Sequence, residues 1–327
     1  MRIVVTGAAG FVGAAVVRRA LGRGHHVVAL VRSTERARAA LGDDAALTLA
    51  VGDVRDPREW EGALDGADAL IHLAAGKGGG LYDQFGVTVG GTEQLLAAMD
   101  RHGVRRLVHI STFSVYDYGA LPVGAILDET SPLEHAPQRR DEYAQTKLEQ
   151  ERLVREWASA GEGRALTVIR PGAVYGPDNL WEGGHAAELA GIGLAISPRS
   201  VQKLTYVDNC ADAIVLAAER DEAIGQTVNI VDDDLPTQAR YERLLRAHGV
   251  DVARGVPVPY RLARATADVL DAASRRWFRG QAKLPYFLMP AKLDARFRPL
   301  QYSNATAKRV LGWTPSVPLD EALRRSA

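Results

Sequence analysis

A chain of 327 residues can hold two domains, or one large α/β domain with an extension. Forty Lys and Arg against forty Asp and Glu leave no basic surplus, so no nucleic-acid partner is expected. The single cysteine, Cys210, excludes an intramolecular disulfide, and no apolar run reaches the roughly 18 residues of a membrane-spanning helix. The first residues already read as a core strand rather than a signal peptide, so a cytoplasmic protein with no integral membrane segment is expected. No metal is expected.

Arg2 to Thr6 reads as a short buried strand, since Ile3, Val4 and Val5 are contiguous and β-branched. Gly7, Gly10 and Gly13 follow, three residues apart, and Phe11 to Arg23 reads as a helix closed by Gly24. His26 to Val31 is a second strand. Strand, glycine turn, helix and strand within about thirty residues is the unit that holds a dinucleotide pyrophosphate on a helix N-terminus. An NAD site places an acidic residue about 20 positions past the glycines. Here Val31 and Arg32 occupy that place, and a guanidinium suits a 2′-phosphate, so NADP(H) is expected ahead of NAD(H).

Leu47 to Val51 is a third strand, ending at Asp53 and Val54, where a side chain can meet an adenine. Asp68 to Leu73 is a fourth, and the small Ala74 and Ala75 leave room for a ligand at the sheet edge. Gly91 to His102 is an amphipathic helix, and Arg106 to Ile110 is a fifth strand running into Ser111 and Thr112. Arg140 to Ala160 is a long helix in which Tyr143 and Lys147, four apart, share one face. A nearby ammonium and a nicotinamide cation would lower the phenol's pKa from about 10 and let it exchange a proton with a substrate oxygen.

Leu166 to Arg170 is a sixth strand, and the rigid loop Pro171, Gly172, Ala173, Val174 can supply nicotinamide contacts and a cleft wall. Phe113, Ser114, Trp181 and His185 are candidates to line that cleft. An Ala-rich helix from about Asp208 to Arg220, a strand at Thr227 to Val231 and a helix at Pro236 to His248 follow. Pro257 and Pro259 introduce an amphipathic helix, Tyr260 to Phe278, expected to pack a Leu262, Val269, Leu270 stripe on a small domain and to leave its arginines in solvent, with contact to a membrane surface as the alternative.

These motifs jointly resemble the extended short-chain dehydrogenase/reductase family, also called the NAD-dependent epimerase/dehydratase family. The resemblance runs the whole length, on TGAAGFVG (6–13), GDVRD (52–56), HLAA (72–75), STFSVY (111–116), YAQTK (143–147), RPGAVYGP (170–177), YVDN (206–209) and LGWTP (311–315). It implies a Rossmann-type doubly wound parallel sheet with a smaller, mainly C-terminal α/β substrate domain. The division expected is 1–170 plus about 205–235 for the dinucleotide, and about 171–204 plus 236–327 for the substrate. The resemblance implies catalysis by Thr112, Tyr143 and Lys147. It implies dinucleotide contacts from Gly7, Gly10, Phe11, Val12, Gly13, Arg32, Asp53, Val54, Ala74, Ala75, Ser111, Tyr143, Lys147, Pro171, Gly172 and Val174. It also makes a homodimer through the 91–102 and 140–160 helices an expectation.

Within the family, dehydratases follow the Thr with Asp-Glu, whereas Phe113 and Ser114 stand here. Ala173 and Gln202 replace the Asn and Arg that usually hold a sugar nucleotide's diphosphate. The C-terminal pattern looks like the 3β-hydroxysteroid dehydrogenase-like and dihydroflavonol reductase-like branch, with Tyr260, Trp277, Phe278 and Tyr286 to Met289 as apolar pocket material. An NADP(H)-dependent reductase of a small, largely apolar ketone or alcohol is therefore expected first. A sugar-nucleotide epimerase with tightly held NAD is the alternative, and a non-catalytic cofactor sensor ranks last.

Overall fold

The structure is a computed structural model that describes residues 1–76, 78–180, 185–189, 192–279 and 284–327. Its centre is a seven-stranded parallel sheet. Five strands come from the first third of the chain: β1 (Arg2–Thr6), β2 (His26–Val31), β3 (Leu47–Val51), β4 (Ala69–His72) and β5 (Arg106–Ile110). Ala165–Pro171 and Thr227–Ile230 complete it, and the order across the sheet is Thr227–Ile230, Ala165–Pro171, β5, β4, β1, β2, β3. Order reverses between β1 and β4, so their carboxyl ends flank the crevice where such sheets take ligands.

Both faces are covered, as near-continuous apolar strands require. One face carries α1 (Phe11–Gly22), whose Ala14, Ala15 and Val17 are buried against the sheet. α2 (Thr34–Leu41) follows β2. After a short α3 (Leu81–Phe85), α4 (Gly91–Arg101) and α5 (Glu142–Ser159) cover the other face with Leu95, Met99, Val154 and Trp157. α6 (Val207–Glu219) returns to the α1 side, its Ala-rich surface allowing close approach. Tyr241 and Leu245 of α7 (Gln238–Ala247) pack on this core too, as do Trp313 and the buried side of the last helix, Leu319–Ser326.

The smaller subdomain joins α8 (Tyr260–Phe278) and α9 (Pro290–Phe297) to a three-stranded sheet, in which Ile192–Ile196 pairs with Arg254–Val258 in parallel and with Glu188–Leu189 antiparallel. Ala186, Ile196, Tyr260, Ala263, Ala267, Leu293 and Phe297 form its core. α8 therefore departs from expectation. It turns Tyr260, Ala263 and Ala267 inward, and Leu262 and Val269 outward. Among the described residues, no helix is long and apolar enough to cross a membrane.

Candidate active site

The site begins at the carboxyl end of β1. Gly7 has φ +67°, a conformation that favours glycine, and an added Cβ would stand 3.0 Å from the Ala74 nitrogen. A Cβ on Gly13 would lie 2.1 Å from the Gly7 carbonyl oxygen, so α1 can press on the turn only as it does with glycine. Gly10 is the N-cap of α1, with no side-chain cap and no acid in the first turn. The first amides of α1 are thus left to an anion, and the glycine cradle fits a pyrophosphate. Gly13→Ala is expected to lose dinucleotide binding, because either the helix or the turn must shift. Fluorescence titration with NADH measures it, and unchanged affinity would show that the turn can yield.

Phe11 and Val12 are half-buried beside the α1 core. Val54 is buried, with its side chain packed against Gly91. Asp53 binds the Arg55 side chain through both oxygens, at 2.9 and 2.7 Å. Those bonds, helped slightly by the charge of Arg32, bring its pKa to about 2 against the upward push of its partial burial. Arg32 is exposed and acts on Asp53 only as a minor, longer-range charge.

Tyr143 and Lys147 sit in the first turns of α5, which Asp141 caps by accepting the Ala144 amide at 2.8 Å. Thr112, at the carboxyl end of β5, caps a short 3-10 turn and accepts the Ser114 amide at 3.2 Å. Its hydroxyl also reaches the Tyr143 phenol and pulls that pKa down, but burial pushes harder and leaves it at about 12. Lys147, one turn further on, is buried, and its ammonium donates to the Ile110 carbonyl at 2.6 Å and to Gln150 Oε1.

Gln150 was not anticipated, although its i+3 spacing from Lys147 marks it as a neighbour. It holds the ammonium with its oxygen and donates its amide to the Thr92 hydroxyl at 2.8 Å and to the Ala74 carbonyl at 3.3 Å. Behind it lies His72, whose Nε2 meets the Thr92 hydroxyl at 2.9 Å and whose Nδ1 meets the Thr6 hydroxyl at 2.7 Å. Thr92 donates its own hydrogen to the Thr88 carbonyl, so it accepts from Nε2–H. Burial, with the Lys147 charge second, holds His72 neutral at a pKa of about 3. Thr6 in turn accepts the Leu73 and Ala74 amides, both at 3.2 Å. One buried network thus ties the ammonium to the backbone that closes over Gly7.

Ser111 donates its hydroxyl to Glu151 at 2.6 Å and is buried, so that group faces the interior rather than a dinucleotide. Ala74, Ala75, Gly172 and Val174 are partly exposed around the crevice, while Pro171 is buried. Gly172 is closely met by the Lys203 carbonyl, where an added Cβ would stand 2.3 Å away. Phe113 is buried in a second aromatic cluster with Tyr116, Tyr118 and Leu127, which removes it from the cleft wall, whereas Ser114 is half-buried. His185 packs over Gly193 and faces Glu242 at 3.5 Å, in the smaller subdomain. Trp181 lies outside the described residues. Asp117, Glu134 and His135 bring donor atoms within 4.8 Å of one another, but His135 meets Asp117 at 2.9 Å and buried Arg140 meets Glu134 at 3.3 Å.

Parallel sheet, glycine cradle and a Tyr–Lys helix face beside it define a nicotinamide-dinucleotide-dependent enzyme with tyrosine-based chemistry on a small substrate. The chain belongs to the NAD dependent epimerase/dehydratase family, whose profile matches residues 3–231. It is 32% identical to the 2-alkyl-3-oxoalkanoate reductase of Stenotrophomonas maltophilia, over 99% of this chain and 98% of that one. It is 33% identical to the 3 beta-hydroxysteroid dehydrogenase/Delta 5-->4-isomerase of Mycobacterium tuberculosis, over 98% and 88%. Reductase and steroid dehydrogenase match about equally, so no single branch of the family stands out. Among solved structures, UDP-glucuronic acid 4-epimerase of Bacillus cereus in complex with NAD shares the fold, with a TM-score of 0.72 at 20% identity, over 100% of this chain and 97% of that one. The expectation of NADP(H) is overturned: UDP-glucuronic acid 4-epimerase and other solved structures that share the fold carry NAD.

Proposed function

We propose that the protein is an NAD-dependent dehydrogenase that interconverts a ketone and a secondary alcohol on a small, largely apolar substrate. Residues 171–204 and the stretch after 236 supply the substrate side. The observation that carries this reading is the grouping of Thr112, Tyr143 and Lys147 at the end of β5, one hydrogen-bond network away from the glycine cradle. Gly7, Gly10 and Gly13 with the α1 amides would hold the pyrophosphate, Asp53 would serve the adenine side, and Lys147 would serve the nicotinamide ribose. The dinucleotide, when bound, gives or takes the hydride. Thr112 orients the substrate oxygen, and Tyr143 moves the proton at that oxygen. A phenol held near 12 is neutral at pH 7, so its resting form is the proton donor that ketone reduction needs.

The epimerase reading has its own support, since several solved structures with this fold are NAD-containing sugar-nucleotide epimerases. The dehydrogenase reading draws on relatives above 30% identity that cover nearly the whole chain and on Ala173 and Gln202, which offer a diphosphate neither an Asn amide nor an Arg guanidinium. Denaturing the purified protein and assaying released nucleotide separates them. A dehydrogenase exchanges NAD freely and consumes one NADH per hydrophobic ketone reduced. About one equivalent of retained NAD, together with interconversion of UDP-hexoses and no net NADH change, would replace this reading with the epimerase.

A further inference from the structure

α8 is apolar on two sides. Its inner side packs Tyr260, Ala263 and Ala267 on Ile196, Leu293 and Phe297. Its outer side carries Leu262, Val269 and Trp277, spaced seven and eight residues apart and therefore on one stripe, with 60, 68 and 74% of their surface exposed. Exposed Ala265 and Ala272 lie on the same side. A helix that needed only to cover the small core would be polar here.

The flanking charge is net positive. Between 260 and 279 stand five arginines and two aspartates. Arg264 pairs with Asp268 and Asp294, and Arg275 pairs with Asp271. Arg261, Arg276 and Arg279, all exposed, have no acidic partner among the described residues. A second copy of this face, brought up by a two-fold axis, would set arginine against arginine. A planar anionic surface meets both features at once: headgroups take the guanidinium groups, and the indole with the aliphatic stripe enters the boundary layer below them.

We propose that the outer face of α8 is a docking surface for a bilayer that contains anionic phospholipid. The helix lies in the membrane plane and does not cross it. The inference is independent of the assigned chemistry, because no α8 side chain belongs to the dinucleotide or proton-transfer groups.

Flotation of the whole protein with vesicles of phosphatidylcholine, with and without phosphatidylglycerol, tests it at low and high salt. Three unpaired arginines predict about a hundredfold stronger partition onto the anionic vesicles at low salt, most of it lost at high salt. The triple variant Leu262→Ser, Val269→Ser, Trp277→Ser and the triple variant Arg261→Glu, Arg276→Glu, Arg279→Glu are each expected to abolish partition. Both change only exposed positions and keep the far-UV spectrum. Ile192→Ser with Val256→Ser, on the exposed three-stranded sheet, is expected to float like the parent. Equal partition onto both vesicle types, an apolar triple variant that still floats, or a dimer in solution that this variant dissociates would each overturn the proposal.

Discussion

Tyr143→Phe is expected to lower kcat by about 10²- to 10⁴-fold while NADH affinity stays within about threefold. The phenol oxygen is the only atom removed, and it is the atom that the Thr112 hydroxyl reaches. Behind it, the Lys147 ammonium rests on Ile110 and Gln150, and Gln150 on Thr92 and Ala74, contacts that the substitution leaves in place. The substitution therefore separates proton transfer from dinucleotide binding. Steady-state kinetics on a ketone and its alcohol, with fluorescence titration of NADH, reads both quantities. The pH dependence gives the sign. Burial pushes the phenol up to about 12 against the pull of Thr112, so the neutral form dominates throughout the physiological range. Reduction, which uses that form, is expected to be flat from pH 6 to 8, a range set by the reference phenol pKa of about 10. Oxidation needs the phenolate and is expected to climb up to tenfold per pH unit. A phenylalanine variant with near-parental kcat would remove Tyr143 from the proton path.

Local chemistry was the part of this molecule that could be read before folding. The three glycines specify a turn because Gly7 alone accepts a positive φ there and because any side chain on Gly13 collides with the Gly7 carbonyl. Tyr143 and Lys147 specify a shared face because four residues make about one helical turn. All seven expected sheet strands appear, four with the expected ends and three with ends shifted by one residue. What escaped depends on partners remote in sequence. Phe113 reads as a cleft residue until Tyr302, from the far end of the chain, approaches its ring at 5.9 Å. The Leu262 and Val269 stripe reads as core because apolar spacing identifies a face but not which side the neighbours occupy. The strand Arg254–Val258 was missed since it carries a glycine and a proline, tolerated here because its pairing leaves one edge open. The burial that raises the phenol's pKa is also set by the fold, not by spacing.

Glu151→Ala is expected to destabilise the fold by roughly 3–5 kcal/mol, the cost of leaving a buried charge without its partner. Glu151 lies under α5 with 2% of its side chain exposed, against Arg170 with 3%. Arg170 Nε donates to it at 3.2 Å, Arg155 Nη2 at 2.8 Å and Ser111 at 2.6 Å, so three elements converge on one carboxylate. Arg170 is also stacked over Tyr116 at 4.7 Å and cannot leave for solvent without opening that cluster. Burial alone would raise the Glu151 pKa, but the hydrogen bonds and charge of Arg170, then Ser111 and Arg155, outweigh it and bring the carboxyl to about 2. A folded-state pKa below the unfolded one contributes stability that is present above the unfolded value and lost as pH falls through the folded value. The parent is therefore expected to lose stability between about pH 4.5 and 2, and Glu151→Gln to lack that part of the acid transition. Urea unfolding at a series of pH values measures both effects. Glu151→Leu combined with Arg170→Leu is expected to recover most of the loss, since it removes the orphaned guanidinium with its partner. A single alanine variant as stable as the parent would mean that water or Tyr116 already neutralises Arg170, and that the pair does not anchor α5 to the sheet.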